Sequence, residues 1–500
     1  MSNQKFILAI DQGTSSTKSL VFDEKGQAIA KGSENLHTHY LDNGFVEQEP
    51  EVIYQNVLAS VKKCLDQFAE KGFDQNDIAA IGISNQRETF VVWEKNGKPL
   101  HNAVVWQCKR SVQMCEELKQ KGLSQTVNEK TGLVIDPYFS ATKLIWLFQN
   151  NTAVREAIQK GKAYFGTIDT WLLYKLTNGQ SYATDYTNAS RTMLFNLHTL
   201  QWDKELIDAF GLNGIQLPEL KSSSAYFGET TLGSLFEQPV HVTGMIGDSH
   251  AAAFGEGCFE TGTAKATLGT GCSILMNIGS KPVQSTNGMV TTICWSAGDR
   301  IDYALEGVIV SCGASIEWLK NELQLFNDSN DTEAMATAVA DNGGVYLIPA
   351  FSGLGSPHWQ MERRASITGM SFGTTKNHIV RAALESIPYQ IKDVVSAMQA
   401  DALVPLNSFR INGGISKNKF VMQMIADLQQ ITITNSASPD ASALGAAFLA
   451  GLTAGVYKSI EQLKNCISIN KTFEPAVNKE AESSYKQWQL HILEYKNPGS

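Results

Sequence analysis

Two stretches of the sequence, about half the chain apart, share a pattern: an apolar run, a turn rich in glycine and hydroxyl groups, and a second apolar run. The first is FILAIDQGTSSTKSLVF at residues 6–22 and the second is KATLGTGCSILMNIG at residues 265–279. Alternating apolar residues on both sides of such a turn predict a β-hairpin. Thr14 and Thr270 occupy the two turns, 256 positions apart in a chain of 500 residues. This spacing indicates a duplicated unit rather than a short-period repeat.

Each half also contains a later strand that ends in polar residues, IAAIGISNQRE in the first half and SFRINGGISKN in the second. Patterns with apolar residues at three- and four-residue spacing predict helices at residues 51–72 and 377–400. Strands that alternate with helices in two equivalent halves predict two α/β domains facing each other across a cleft. We expect the first domain at residues 1–252 and the second at residues 253–500.

Composition excludes several classes of function. The formal net charge is −9 and the 41 lysine and arginine residues are scattered, so nucleic acid is not an expected partner. The eight cysteines include no C-x-x-C pair, which argues against a zinc site and a disulfide framework. No run of about 18 apolar residues occurs, so we expect no membrane insertion and a cytoplasmic protein.

The two hairpin turns are candidates for binding a nucleotide. In the first turn, Gly13 is followed by four hydroxyl residues and a lysine, and the candidates among them for binding phosphate are Thr14, Ser15, Ser16 and Lys18. Closely spaced N–H and O–H donors are what phosphate groups require, although a purely structural turn has the same composition. The pattern is not a Walker loop, because G-x-x-x-x-G-K-[ST] is absent. Asp11 precedes the turn and is the candidate ligand for Mg²⁺.

A carboxylate at the middle of the chain has two interpretations. Asp248 follows the strand-like VHVTGMIG and precedes the short helical pattern SHAAAF, which Gly255 closes. As a helix cap it would accept backbone N–H bonds; as a general base it would accept a proton from a substrate. Arg87 and Glu88 form either a surface ion pair or a binding site for several hydroxyls.

The sequence resembles the FGGY carbohydrate kinases, and within them the branch that phosphorylates glycerol. Both family signatures are present, as YFSATKLIWLFQN at residues 138–150 and SITGMSFGTTKNHIVRAALE at residues 366–385. Further similar blocks include AIDQGTSSTK, GISNQRETFVVWEKNGKPLHNAVVWQCKR, YALEGVIVSCGASIEWL and VYLIPAFSGLGSPHW. Together the blocks cover nearly the whole chain, from about residue 6 to residue 452.

This resemblance implies two ribonuclease H-like domains, as in actin and hexokinase, around a cleft that binds ATP, Mg²⁺ and a polyol. It implies that Asp248 is the catalytic base and that the polyol is held by Arg87, Glu88, Trp106 and Tyr138. It implies phosphate contacts at Thr14, Ser15, Ser16, Lys18 and Thr270, and contacts to ribose and adenine at Gly313, Glu317, Gly414 and Asn418. A homodimer or homotetramer is also expected.

Four positions depart from the pattern of the glycerol-phosphorylating branch. Ser249 replaces a usual glutamine and Ser273 a usual aromatic residue, while Lys18 and Glu317 replace arginine and glutamine. The two serines stand in the polyol-binding set and are expected to enlarge and hydrate the pocket. The resemblance makes glycerol, phosphorylated to glycerol 3-phosphate, the leading acceptor. Because the two serines enlarge the pocket, a longer polyol or a ketose (erythritol, threitol, xylitol or a ketopentose) is the alternative. An actin-like ATP-binding scaffold without transfer activity is the second alternative.

Overall fold

The computed structural model describes residues 4–436 and 438–493. Its strands are β1 (Phe6–Gln12), β2 (Ser16–Phe22), β3 (Ala28–Asn35), β4 (His39–Leu41), β5 (Phe45–Gln48), β6 (Ile78–Asn85), β7 (Phe90–Glu94), β8 (Ala103–Val104), β9 (Ala163–Thr167), β10 (Ala183–Asp185), β11 (Phe195–Asn196), β12 (Gln201–Trp202), β13 (Glu219–Lys221), β14 (Ser224–Thr230), β15 (Val240–Gly247), β16 (Thr263–Leu268), β17 (Cys272–Gly279), β18 (Val290–Ala297), β19 (Arg300–Ile309), β20 (Tyr346–Ile348), β21 (Ser366–Thr368), β22 (Ser408–Asn412), β23 (Ile433–Ser436) and β24 (Ile469–Phe473).

The α-helices lie between these strands or follow them. They are α1 (Pro50–Glu70), α2 (Val112–Gln120), α3 (Ser124–Thr131), α4 (Ser140–Asn150), α5 (Thr152–Gln159), α6 (Ile168–Leu176), α7 (Tyr186–Ala189), α8 (Lys204–Ala209), α9 (Asp248–Gly255), α10 (Gly313–Asn321), α11 (Thr332–Thr337), α12 (Lys376–Ala402), α13 (Lys419–Gln429), α14 (Ala441–Thr453), α15 (Ile460–Leu463) and α16 (Lys479–Leu493).

The duplication predicted from the two hairpins is confirmed in the strand pairing. In the first half, β1 pairs antiparallel with β2, β2 pairs antiparallel with β3, and β6 and β15 extend the sheet in parallel. In the second half, β16 pairs antiparallel with β17, β17 with β19, and β22 and β23 extend the sheet in parallel. Each half therefore contains three antiparallel strands followed by two parallel ones, as expected for two ribonuclease H-like units.

The two half-sheets are joined into one order of thirteen strands by a narrow contact. β14 pairs with β18 through Ser224 and Ala297 alone, whereas neighbouring strands inside each half pair at three or more positions. A separate five-stranded sheet, β4-β5-β8-β7-β9, lies in the first half. The second long helical pattern is confirmed as α12, and the first as α1, whose buried face packs into the core of the first half.

Helix α14, which belongs to the second half of the chain, packs on the first half. The apolar side chains of α14 join one core with β1, β2 and α9. Close contact depends on glycines: a Cβ on Gly445 would lie 1.9 Å from the Ala251 carbonyl oxygen, and one on Gly255 would lie 2.3 Å from the Ala441 oxygen. Since neither backbone can move without displacing its helix, α9 and α14 pack at a distance that only glycine allows.

The predicted boundary at 252/253 falls within α9, and it stays a prediction. In the part of the chain that the structure describes, no helix is both long and apolar enough to cross a membrane. All eight cysteines lie in that part and none forms a disulfide.

We expect Gly445→Ala to destabilise the protein, because the added methyl group overlaps the backbone of α9. Overpacking of this kind costs about 1–3 kcal/mol, so the midpoint of thermal unfolding falls by several degrees. The control is Gly373→Ala, since a Cβ there meets only Ser371 Oγ at 3.7 Å. Equal unfolding midpoints for the two variants would contradict the close helix contact.

Candidate active site

A cavity of about 320 Å³ opens between the two halves, at the ends of the central strands. Residues from both hairpins and both halves line it: Thr14, Arg87, Glu88, Trp106, Tyr138, Asp248, Ser249, Ala252, Lys265, Thr267, Gly269, Gly271, Ser273 and Ser442. Every residue that the sequence assigned to polyol binding is among them. The structure therefore brings together residues that lie up to 428 positions apart in the chain.

Asp248 is the first residue of α9 and directs its carboxylate to the cavity. Gly247 holds the N-cap position, so the interpretation of Asp248 as the cap residue is wrong by one position. The Ser249 N–H donates to Asp248 Oδ1 at 2.6 Å, and Arg87 Nε lies 3.2 Å from the same oxygen. The carboxylate is 39% exposed. It is thus fixed through one oxygen and still accessible.

Arg87 follows β6 and pairs with carboxylates from two directions. Its Nη2 lies 2.9 Å from Glu306 Oε1 on β19, while its Nε faces Asp248. A Cβ on Gly247 would lie 2.7 Å from Arg87 Cγ, so glycine at this position leaves room for the arginine. The surface ion pair considered for Arg87 is excluded, because the side chain is buried.

A second arginine completes a buried network. Arg191 Nε donates to Glu88 Oε1 at 2.6 Å, and Arg191 Nη1 lies 2.6 Å from Glu306 Oε2. Burial raises the pKa of Glu88 despite the nearby arginines. For Glu306 burial acts in the same direction, but Arg191 and Arg87 outweigh it and hold the pKa well below its ordinary value.

The aromatic side of the cavity is connected to the first hairpin turn. The indole N–H of Trp106 donates to Thr14 Oγ1 at 2.9 Å, and Trp106 contacts Tyr138 edge-on with ring centroids 5.5 Å apart. Burial raises the pKa of Tyr138 well above its usual value, so its hydroxyl stays protonated. Trp106, which is assigned to the polyol, and Thr14, which is assigned to phosphate, therefore lie in the same wall of the cavity.

The two serines that depart from the family pattern lie next to a buried lysine. Lys265 Nζ donates to Ser249 Oγ at 2.7 Å and to Thr267 Oγ1 at 3.2 Å. Ser249 Oγ lies 3.2 Å from Ser273 Oγ, which donates to Glu306 Oε1 at 3.0 Å. The space beside the serines therefore contains a buried ammonium group, which no sequence pattern predicted.

The first hairpin turn is closed by the Gly13 N–H, which donates to the Ser16 carbonyl at 2.9 Å. Lys18 forms an ion pair with Asp440 at 3.0 Å, so a carboxylate of the second half partly neutralises its charge. Burial and the nearby Asp248 carboxylate raise the pKa of Asp11 to about 6. A cation near these two carboxylates would relieve their repulsion.

The second turn is joined to the start of α10. The Thr270 carbonyl accepts hydrogen bonds from the Cys312 and Ala314 N–H groups, at 2.9 and 3.0 Å, and the Gly313 N–H donates to the Gly269 carbonyl at 2.9 Å. Thr270 itself is exposed. The structure therefore places Thr270 and Gly313, two residues assigned to the nucleotide, side by side.

The remaining nucleotide candidates lie beyond the cavity. Asn418 is the N-cap of α13, where its side chain accepts the Val421 N–H at 3.1 Å, and Gly414 is in the preceding turn. Glu317 accepts a hydrogen bond from Ser329 at 3.1 Å. These three, with Asp11, Ser15, Ser16, Lys18, Thr270 and Gly313, do not line the cavity, so their roles stay predictions.

Two family models match the chain. The N-terminal domain of the FGGY family of carbohydrate kinases matches residues 6–255, and the C-terminal domain of that family matches residues 264–454. Glycerol kinase 2 of Thermotoga maritima is 45% identical, with 97% of each chain covered. A glycerol kinase of Shewanella frigidimarina is 46% identical, covering 98% of this chain and 97% of the relative.

Solved structures agree with this result. A glycerol kinase of Plasmodium falciparum, crystallised with ADP, superposes with a TM-score of 0.93 at 35% identity, with 98% of each chain covered. A gluconate kinase of Lactobacillus acidophilus superposes with a TM-score of 0.88 at 23% identity, covering 98% of this chain and 97% of that one, and supports the fold alone. The matching models, the relatives and the shared fold lead to one conclusion: this chain belongs to the FGGY family of carbohydrate kinases.

Proposed function

We propose that this kinase transfers the γ-phosphoryl group of ATP to a primary hydroxyl of glycerol and so forms glycerol 3-phosphate. One observation carries the proposal: the accessible Asp248 carboxylate shares a cavity with the buried Arg87–Glu88 pair. A base beside a donor and an acceptor of hydrogen bonds suits an alcohol acceptor. Relatives named glycerol kinase, at 44–46% identity over nearly the full chain, support glycerol as the acceptor.

The contacts of Asp248 assign its two oxygens different tasks. The Ser249 N–H and Arg87 both engage Oδ1, so Oδ2 receives the proton of the attacking hydroxyl. As that hydroxyl oxygen bonds to the γ-phosphorus, the bond from phosphorus to the bridging oxygen breaks and ADP leaves. A positioned base of this kind typically accelerates transfer by about 10²- to 10⁴-fold.

The other cavity residues hold the acceptor. Arg87 donates to one glycerol hydroxyl and Glu88 accepts from another, while Trp106 and Tyr138 cover the carbon chain. Arg87 and Glu88 belong to one ion network, which Glu306 and Arg191 complete. The groups that bind the hydroxyls are therefore ordered before glycerol binds, which lowers the entropic cost of binding.

The two hairpin turns are assigned to the phosphates of ATP, through Thr14, Ser15, Ser16, Lys18 and Thr270. Gly313, Glu317, Gly414 and Asn418 are assigned to ribose and adenine, since the Thr270 turn adjoins the start of α10.

Asp11 is assigned to Mg²⁺, which neutralises phosphate charge when bound. In the described residues there is no cluster of three metal-binding side chains. A hard cation that keeps several waters and uses one or two carboxylates fits this donor set. It would also relieve the repulsion from Asp248, which together with burial raises the pKa of the Asp11 carboxyl.

The alternative of a transfer-inactive scaffold is not favoured, because the base and the hydroxyl-binding pair are assembled in one cavity. Because Ser249 and Ser273 enlarge the pocket, a longer polyol is the second candidate for the acceptor.

Eight cysteines without disulfides suit a reducing compartment, so we infer a cytoplasmic location.

We expect Asp248→Asn to lower kcat at least 100-fold while the affinity for ATP stays within about threefold, because the amide cannot accept the proton. A coupled ADP-release assay measures the rate and calorimetry measures ATP binding. Asp299→Asn, on the exposed β18–β19 turn, is the matched control. Full turnover by Asp248→Asn would refute its role as the base.

We expect Arg191→Met to raise KM for the acceptor more than it lowers kcat, because Glu88 and Glu306 lose the cation between them. Removing one partner of a buried ion pair typically costs about 3–5 kcal/mol, so the unfolding temperature also falls. Unchanged KM and stability would show that the network does not order the site.

The exposed surface of the second half supports an oligomer. Phe372 is fully exposed and Met370, two positions earlier in the chain, is 59% exposed; apolar side chains mark an interaction surface when they form a contiguous patch. We infer that this segment contributes to a homodimer or homotetramer. Light scattering should show a dimer or tetramer for the wild type and a smaller species for Phe372→Ser; a wild-type monomer would overturn the inference.

A further inference from the structure

The serines and the lysine beside Asp248 form a chain of hydrogen bonds with a fixed direction. Lys265 donates to Ser249, and Ser273 donates to Glu306, a carboxylate that can only accept. Ser273 has thereby used its single hydrogen, so in the 3.2 Å contact Ser249 is the donor and Ser273 the acceptor. The order is Lys265 to Ser249 to Ser273 to Glu306.

This order defines which hydrogen-bonding positions remain for a ligand. An ammonium has three hydrogens, and Lys265 uses two of them, on Ser249 and Thr267. Each serine oxygen has two lone pairs, and each accepts one hydrogen within the chain. One N–H of Lys265 and one lone pair on each serine are therefore left, in side chains that line the cavity.

A ligand group that satisfies both kinds of position must donate and accept. A hydroxyl does this, because it accepts from the lysine and donates to a serine. A carbonyl or carboxylate oxygen only accepts, so it would leave the serine lone pairs facing another acceptor. Lys265 is 1% exposed, and an unmet donor on a buried ammonium is costly, so an occupied subsite is favoured.

We propose that Lys265, Ser249 and Ser273 form a subsite for a fourth hydroxyl, so that the enzyme phosphorylates polyols of four or five carbons in addition to glycerol, and does so more efficiently. The inference rests on the proposed phosphoryl transfer. The Arg87–Glu88 pair and Asp248 account for the three hydroxyls of glycerol, so glycerol leaves the subsite to water. A tetritol or pentitol places an additional hydroxyl there, while its primary hydroxyl is phosphorylated by the same step.

The first test compares acceptors with the wild-type enzyme and Mg·ATP. Erythritol, threitol, xylitol and ribitol are measured against glycerol, xylulose and the four-carbon acid erythronate. We expect kcat/KM for one of the four polyols to exceed that for glycerol at least tenfold, and xylulose and erythronate to react more slowly than that polyol. Preference for glycerol overturns the subsite and leaves the proposed function intact. Preference for the ketose or the acid overturns the assignment of a hydroxyl, and reaction with none refutes the proposed function itself.

The second test asks whether Lys265 sets the preference. Lys265→Met removes the ammonium and keeps most of the side-chain length, so the ratio of kcat/KM for the best polyol to that for glycerol should fall at least tenfold. A lysine that served only to stabilise the fold would lower both rates and leave their ratio unchanged, which would refute the proposal. Lys464→Met is the control, because that ammonium lies at the surface between Glu260 and Glu461.

Ser249→Ala provides a second variant that preserves the volume of the pocket more closely. It removes the link between Lys265 and Ser273, and the same ratio should fall. Calorimetric titration of Asp248→Asn with the best polyol and with glycerol, without nucleotide, measures the subsite apart from catalysis. Tighter binding of the longer polyol supports the proposal, and equal affinities for the two overturn it.

Discussion

The buried ion network of Arg87, Glu306, Arg191 and Glu88 is the interaction on which the site depends. Both arginines and Glu88 come from the first half of the chain, while Glu306 lies on β19 of the second. Charges removed from water are tolerated only when each has a partner. The two halves must therefore meet at this point, and their meeting holds Arg87 against Asp248. One set of ion pairs therefore both positions Arg87 in the acceptor site and joins the two halves.

Local patterns in the sequence were sufficient to predict both hairpins and the two long helices, but not the ion network. Alternating apolar residues around glycine-rich turns predicted both hairpins, and three- and four-residue spacing predicted α1 and α12. Glu306 lies inside one of the blocks that resemble the family, yet no local pattern distinguished Glu306 or Arg191 as a site residue. Their partners are 103 and 219 positions away, and such distant pairing depends on the whole topology.

Lys265 shows the same limit at another position. It lies between two alanines on β16, where its neighbours predict a buried strand and nothing predicts a charge partner. Its partner Ser249 was interpreted as a small residue in place of a larger one, so the sequence predicted an enlarged, hydrated space. The structure instead places an ammonium and a directed hydrogen-bond chain there. The polarity of the pocket, rather than its size alone, therefore distinguishes one acceptor from another.

The packing of α14 on the first half affects how the chain is made as well as how it is held. The first half supplies β1, β2 and β15 by residue 247, but the helix that covers them ends at Thr453. A ribosome adds about 5–20 residues per second, so these strands wait on the order of ten seconds or more for their cover. During that interval apolar residues of the sheet, such as Ile7 and Ile246, lack the side chains that bury them in the finished protein. The first half therefore completes its core only after the chain has been synthesised as far as Thr453.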